Sequence, residues 1–248
     1  MATKQERLIV LGHLSSVLAH EIRNPLAGIS AATQMLDGKM EGTDSRKKYI
    51  GMILKEIDRV NDIVKNLLDF SREGRAYMMQ ASVRGLIEGA LEHFAEPFER
   101  TGIRVEAHHD ERLPFVVCDS EHMGRVFRNL IANAVDAMPD GGTLTIRTTF
   151  DAIAQHVTVS IGDTGIGPQV EELGELFSPF YTTKTKGSGL GLPVALNFIE
   201  EHGGTIAAQR GMPRGLTMLV RWPVEPPRAE AAAAAGQAST PRTTQPGA

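Results

Sequence analysis

The chain has 248 residues, 42% of them apolar, and a formal net charge of −4. That length suits one large domain or two smaller ones with a real core, and the charge excludes an overall basic field for nucleic acid. The single cysteine, Cys118, excludes an intramolecular disulfide and fits a reducing compartment. No apolar run approaches the ~20 residues that cross a bilayer, and the apolar stretch of "MATKQERLIVLGH" is too short for a secretory signal. The expectation is a soluble, cytoplasmic chain with no membrane segment.

Two helical patterns come first. With Leu11 at zero and about 100° per residue, Leu14, Leu18, Ile22, Ile29, Ala32 and Leu36 fall within about 60° of it. The segment "DGKMEGTDS" breaks the pattern, and Asp44 or Ser45 offers an N-cap. Ile50, Ile53, Ile57, Val60, Val64 and Leu67 then recur at three- and four-residue spacing, a heptad seam. The short connection predicts an antiparallel hairpin. One hairpin cannot cover both of its apolar faces, whereas two can as a four-helix bundle, so the pattern predicts a homodimer.

Beyond Ser71 the character changes. "AYMMQASV" predicts a strand running into a helix, and "VRGLIEGALEHFAEPFERTG" reads as that one helix. "IRVEAHHD" and "FVVCD" read as strands. "SEHMGRVFRNLIANAVDAM" reads as a second helix with Asp119 as its N-cap. "GGTLTIRTTF" and "HVTVSIGD" predict a hairpin, "GLPVALNFIEEHG" a third helix, and "GTIAAQR" with "GLTMLVRW" the last strands. Mixed strands and helices of this kind predict an α+β two-layer sandwich. Residues 225–248, rich in Ala, Pro, Thr and Gly without aromatics, predict a disordered tail.

The stretch "LAHEIRNPLAGI" combines a histidine with a mid-helix proline. His20 falls at about 180° on the wheel set by Leu11, opposite the apolar stripe, and is therefore accessible. A lone histidine there is an ordinary surface residue. Its neighbours change the reading. Asn24 lies one turn on, within reach of any group carried by His20, and Glu21 is adjacent. Pro25 leaves the Glu21 carbonyl without its helical partner and bends the helix, at a propensity cost of about 3 kcal/mol. A bend beside an exposed histidine is better explained by function than by packing.

"AHEIRNPL" resembles the phospho-accepting motif of bacterial two-component sensor histidine kinases. "NLIANAVDAM" resembles their asparagine-bearing helix, "DTGIG" their first glycine motif, "FSPFYTTK" their phenylalanine motif and "GSGLGL" their second glycine motif. Any one is a weak signal, but all stand in the family's order between His20 and Leu192. The style of the motifs is most similar to kinases of the nitrogen-regulation type, NtrB-like. The resemblance implies a dimerisation and histidine phosphotransfer domain over 1–74, an ATP-binding domain of the gyrase, MutL and histidine-kinase superfamily over 75–224, and the tail. The nearness of Met1 to the first motif also fits the catalytic end of a longer membrane sensor.

The residues of the second half agree. Asn129, Asn133 and Asp136 share one face of their helix, away from Met123, Val126, Phe127, Leu130 and Ala134. Paired asparagines are poor helix formers, and an exposed face gains nothing from them. Their carboxamide oxygens are hard ligands suited to Mg²⁺. The resemblance implies that Asn133 is the Mg²⁺ ligand and Asn129 a supporting contact near the phosphates. It also implies that Asp163, at the end of a strand, reads adenine, with Gly165 and Gly167 allowing close approach of the backbone. A β-turn built on Asp and Gly is compatible with the same residues. Pro168 directly after the second glycine departs from the family, which has an aliphatic residue there.

"TTKTKGSGLGL" reads as a loop entering a helix. Gly187, Gly189 and Gly191 leave N–H groups free to face phosphates, with the positive end of the helix behind them. Thr183, Lys184 and Lys186 line this lid, and Phe177 and Phe180 are expected to anchor it on the domain core. Pro193 falls in the first helical turn, where a missing N–H is harmless. The other histidines, such as His108 and His109, read as surface residues, and Cys118 as a packed strand-end residue.

The resemblance implies ATP-dependent autophosphorylation of His20, with Glu21 orienting the ring and taking its proton, then transfer to an aspartate on a response regulator receiver domain. Glu21 and Asn24 further resemble a phosphatase motif acting on that regulator. The implied cofactors are ATP and Mg²⁺; no nucleic acid partner is expected. Two alternatives stand: an inactive dimeric phosphotransfer scaffold, and an ATP-driven clamp. The intact Asn133, Asp163 and lid glycines argue against the first. The phospho-acceptor hairpin, and the lack of a glutamate to activate water on the asparagine helix, argue against the second.

Overall fold

A computed structural model of the chain describes residues 22, 26–38, 40, 44, 46–71, 76–168, 171, 173–184 and 189–226. The chain divides into two compact units, Met1–Arg75 with Gln169–Asn197, and Ala76–Pro168 with Phe198–Ala248.

In the first unit, residues 26–38 form a helix (α1) and Lys47–Ser71 a second (α2). The Asp44 carboxylate accepts the Arg46 N–H at 2.9 Å and starts the turn into α2. Ile50, Ile57 and Val64, seven residues apart, are the buried line of α2. As expected of a lone hairpin, the stripe of α1 stays partly open within one chain. Ile29 is 50% exposed and Leu36 55%, and on α2 the seam residue Ile53 is 45% exposed. The described heptad positions of α2 therefore split into the buried Ile50, Ile57 and Val64 and the less covered Ile53 and Val60.

The second unit is a two-layer α+β sandwich, as the pattern predicts. Its sheet has the order β2-β4-β5-β7-β6, from strands Ile103–His108 (β2), Gly142–Asp151 (β4), His156–Asp163 (β5), Thr205–Arg210 (β6) and Leu216–Pro223 (β7). β2 pairs with β4 in parallel, Ile103 opposite Gly142, and every other pair in this sheet is antiparallel. Met79–Ser82 (β1) and Phe115–Cys118 (β3) form a separate antiparallel pair. Alternate residues of the central strands, Leu144 and Ile146, Val157 and Val159, Val220 and Trp222, are buried on one face. Against it lies Ser120–Ala137 (α5), whose Phe127 ring sits 6.2 Å from the Trp222 ring.

Asp119 caps α5 as expected, its carboxylate accepting the Glu121 and His122 N–H groups. The helix expected over 83–102 is instead two, Val83–Glu92 (α3) and Ala95–Thr101 (α4). Pro97 is the cause: its ring would strike the His93 carbonyl in a continuous helix, and it is tolerated in the first turn of α4. A third helix, Gly191–Glu201 (α6), precedes β6. No helix among the described residues is long and apolar enough to cross a membrane.

Candidate functional site

His20, Glu21, Asn24 and Gly187, with Pro25 and Lys186, lie outside the described residues. The remaining expected site residues fall into two groups, one in each unit.

In the second unit, α5 turns its apolar stripe inward, and Asn129 and Asn133 stand half-buried on its other side with Asp136 exposed. The helix ends at Ala137, and its carbonyl accepts the Ile166 N–H at 3.0 Å, which ties the loop after β5 to the end of the asparagine helix. Gly165 sits so close to Ala137 that a Cβ there would collide with the Ala137 backbone. Glycine at this position thus reflects close approach to α5. Thr164 Oγ1 accepts the Thr143 N–H at 3.0 Å, fixing the loop to the start of β4 as well.

Asp163 ends β5 inside this frame. Its Oδ1 accepts the Gly165 N–H at 2.8 Å and the Leu216 N–H at 3.3 Å. Burial raises its pKa above the ordinary carboxylate value, and these two N–H groups pull it back. Among the described residues Oδ2 takes no hydrogen bond, which leaves it able to accept from a donor. The Leu216 N–H and the close approach of Gly215 are features of this frame that the sequence does not announce. The nearest local signal is the glycine-flanked "GMPRG" leading into a strand.

In the first unit, Phe177 closes a short 3-10 turn, Leu173–Phe177. Phe180 differs from the expected anchor: its ring is 58% exposed. Its backbone does the holding, its N–H donating to the Gly189 carbonyl at 3.0 Å. Phe180 takes φ +66°, an uncommon conformation for a residue with a side chain. Thr183 and Lys184 are exposed on the segment between, with the Lys184 N–H donating to Thr182 Oγ1. Gly191 opens α6 and Pro193 lies in its first turn.

The described residues hold no group of three His, Cys, Asp or Glu side chains able to grip a metal. The oxygens on the outer face of α5 are hard donors, few in number. That fits Mg²⁺, which keeps waters and takes phosphate oxygens alongside one or two protein ligands.

A second cluster of titratable groups was not anticipated. His202 is only 1% exposed, contrary to the surface position expected for the other histidines. Its Nε2 accepts the Asp119 N–H at 2.9 Å and its Nδ1 faces the Phe198 carbonyl at 2.6 Å. Beside it His122 stacks on Phe198 at 4.0 Å, with Nδ1 3.4 Å from a Glu201 oxygen. The Asp119 carboxylate that caps α5 also accepts the Tyr77 N–H at 2.7 Å.

Comparison with known proteins finds matches over both parts of the chain. Residues 10–75 match the His Kinase A (phospho-acceptor) domain, and residues 118–226 match the histidine kinase-, DNA gyrase B-, and HSP90-like ATPase family. The chain is 31% identical over 222 residues to sporulation kinase E of Bacillus subtilis (strain 168), covering 89% of this chain and 30% of that protein. It is 31% identical over 223 residues to sensor histidine kinase ZraS of Escherichia coli (strain K12), covering 89% and 47%. The chain thus spans less than half the length of these curated relatives. Among solved structures, histidine kinase ThkA in complex with response regulator protein TrrA is similar at 30% identity and TM-score 0.65, over 90% of this chain and 64% of that one. A phospho-acceptor region ahead of an ATPase unit built on an asparagine helix and a glycine-framed aspartate places this chain in the two-component sensor histidine kinase family.

Proposed function

We propose that the chain is a protein-histidine kinase that phosphorylates His20 from ATP and passes the phosphoryl group to an aspartate of a separate response regulator. The observation that carries this reading is the Asp163 frame. A half-buried carboxylate has one oxygen fixed by backbone N–H groups and the other left for an exocyclic amine, in the same chain as a phospho-acceptor region. Adenine binds there, its amine donating to Asp163. Asn133, supported by Asn129 and with Asp136 a turn on, would hold Mg²⁺, which would screen the charge of the phosphate oxygens. The lid residues Thr183 and Lys184, with the N–H groups of Gly187, Gly189 and Gly191, face the phosphates.

The ring nitrogen of His20 attacks the γ-phosphorus, the bond to the bridging oxygen breaks, ADP leaves, and Glu21 takes the ring proton. In the reverse sense of signalling, Asn24 orients a water against the phosphorylated regulator. A homodimer covers the open heptad line of α1 and α2. The working division is 1–74 for the phosphotransfer hairpin, 75–224 for the ATP-binding domain and 225–248 for a tail without a core, in a cytoplasmic setting.

The test is incubation with γ-labelled ATP and Mg²⁺. The expected product is labelled protein whose phosphate is lost in acid and kept in base, as a phosphoramidate requires. A base-labile, acid-stable label, or none, overturns the assignment.

A further inference from the structure

The connection between β6 and β7 touches the aspartate loop at three points. Arg210, the last residue of β6, donates from Nη1 to the Pro168 carbonyl at 3.2 Å. Gly215, at φ +96°, lies against the Asp163 backbone, and any Cβ there would collide with the Asp163 carbonyl. Leu216, the first residue of β7, donates its N–H to Asp163 Oδ1 at 3.3 Å. The connection is itself closed, the Gly211 N–H donating to the Gly215 carbonyl at 3.0 Å. Gly167 completes the contact, since a Cβ there would sit 3.3 Å from the Gly215 carbonyl oxygen.

We infer that residues 210–216 form a positioning strap for nucleobase selection, in which Leu216 fixes the Asp163 carboxylate and Arg210 holds the Gly165–Pro168 turn against it. The physical reason is geometric. A free carboxylate rotates about χ2, so pairing with an amine must first order it, and the gain that sets an amine apart from a carbonyl is smaller. Two N–H groups on Oδ1 remove that freedom and leave Oδ2 in one place. A donor substrate pairs with it, whereas a purine with an oxo group there meets acceptor against acceptor. Arg210 does not touch the base. It acts through the Pro168 carbonyl at the far end of the loop whose near end Asp163 and Gly165 form. Pro168, the residue at which this chain departs from the family pattern, supplies the carbonyl that Arg210 meets.

This inference rests on the reading of Asp163 as the adenine contact, and the experiment separates the two. Equilibrium binding of Mg-ATP and Mg-ITP, which lacks the exocyclic amine, is measured on the full chain for wild type, Asp163→Asn, Arg210→Met, Arg210→Lys and Gly215→Ala. Arg210→Met is expected to weaken ATP by about three- to tenfold, the scale of one net hydrogen bond. ITP binding stays unchanged, and so does the phosphorylation rate at saturating ATP. Arg210→Lys, which can still donate to the carbonyl, restores most of the preference. Gly215→Ala is expected to erase the preference as fully as Asp163→Asn. An ATP preference left intact by Arg210→Met overturns the strap, as does an equal loss for both nucleotides, which is what a merely structural role produces. A preference that survives Asp163→Asn overturns the adenine reading itself, and the strap with it. Should Gly215→Ala fail to fold, the two Arg210 variants decide alone.

Discussion

The helical hairpin and the ATPase unit bury their apolar residues in opposite ways. In the ATPase unit the alternating strands and α5 close on each other, and Phe127, Trp222, Leu144 and Ile161 are all buried within one chain. In the hairpin the heptad line Ile50, Ile57 and Val64 is buried, while Ile29, Leu36 and Ile53 remain open. The same hydrophobic periodicity thus means two things. In a sandwich, every apolar stripe has a partner in the chain. In the two helices of the first unit, part of the stripe stays about half exposed. One unit covers its strand and α5 stripes within the chain, and the other leaves part of a stripe exposed, the part for which a homodimer is proposed.

Changes that act in one unit and spare the other test this contrast. The largest effect is expected from His20→Gln, which should abolish labelling from ATP while nucleotide affinity stays at the wild-type level. Labelling at the wild-type rate would mean another acceptor. Next, Phe127→Ala should lower the unfolding free energy of the ATPase unit by about 3–5 kcal/mol, as large aromatic truncations in cores do. Sedimentation should still show the dimer, because the two units bury separate cores. Asn24→Ala should keep autophosphorylation and slow regulator dephosphorylation by roughly 10²-fold, the scale of misplacing a reacting group. Purified phosphorylated regulator, nucleotide and a phosphate-release assay read this directly, and an unchanged rate makes Asn24 only a helix residue before a proline.

A smaller effect is expected from Ile53→Glu on the open line of α2. It should weaken the dimer by about tenfold or more, given about 1.5–3 kcal/mol for burying such a side chain, and leave ATP affinity untouched. Loss of ATP binding with an intact dimer would reverse the assignment of that face.

The smallest effect concerns acid. Burial lowers the pKa of His202, so protons favour the unfolded chain, and stability falls as pH drops below about 6.5. The Glu201 carboxylate raises His122 in spite of its burial, so its stabilisation is full below about 6.5 and is lost as pH rises through the raised value. The two windows meet near 6.5, so on their account the wild-type melting temperature should peak there and fall on either side. In His202→Asn only the His122 slope remains, and melting should become relatively more favourable toward acid. A wild-type profile and a mutant profile of the same slope would count against the coupling.

Much of the second unit is legible in the sequence because its signals are local. The α5 cap follows from Asp119 before a helical stripe, and β4 and β5 from alternating Thr, Ile and Val around a turn. What escapes is set at a distance. Nothing in "IRVEAHHD" says that β2 runs parallel to β4, since strand direction depends on where α5 and β3 return the chain. Nothing near His202 announces that its Nε2 receives the Asp119 N–H from 83 residues away. The missed break between α3 and α4 is different, because Pro97 was in plain view and local physics sufficed to find it. At the candidate site, Asp163 and the glycines after it are readable, but the carboxylate's second N–H donor, Leu216, is supplied by a strand far along the chain.

The pairing of β5 with β7 has a consequence for how the chain reaches its fold. Gly162 stands opposite Thr217, so everything from 163 to 216 is topologically a single loop between hydrogen-bonded neighbours. The entropy of closing such a loop rises only logarithmically, by about 0.6 kcal/mol for each doubling of its length. The sheet is therefore nearly indifferent at equilibrium to how much chain hangs between these strands, while the rate of forming it is not, because distant pairings are slow to nucleate. The β4–β5 and β6–β7 hairpins pair strands close in sequence, so their joining is expected to be the slower step. Insertions and exchanges in the segment they bracket are then tuned by folding speed far more than by stability.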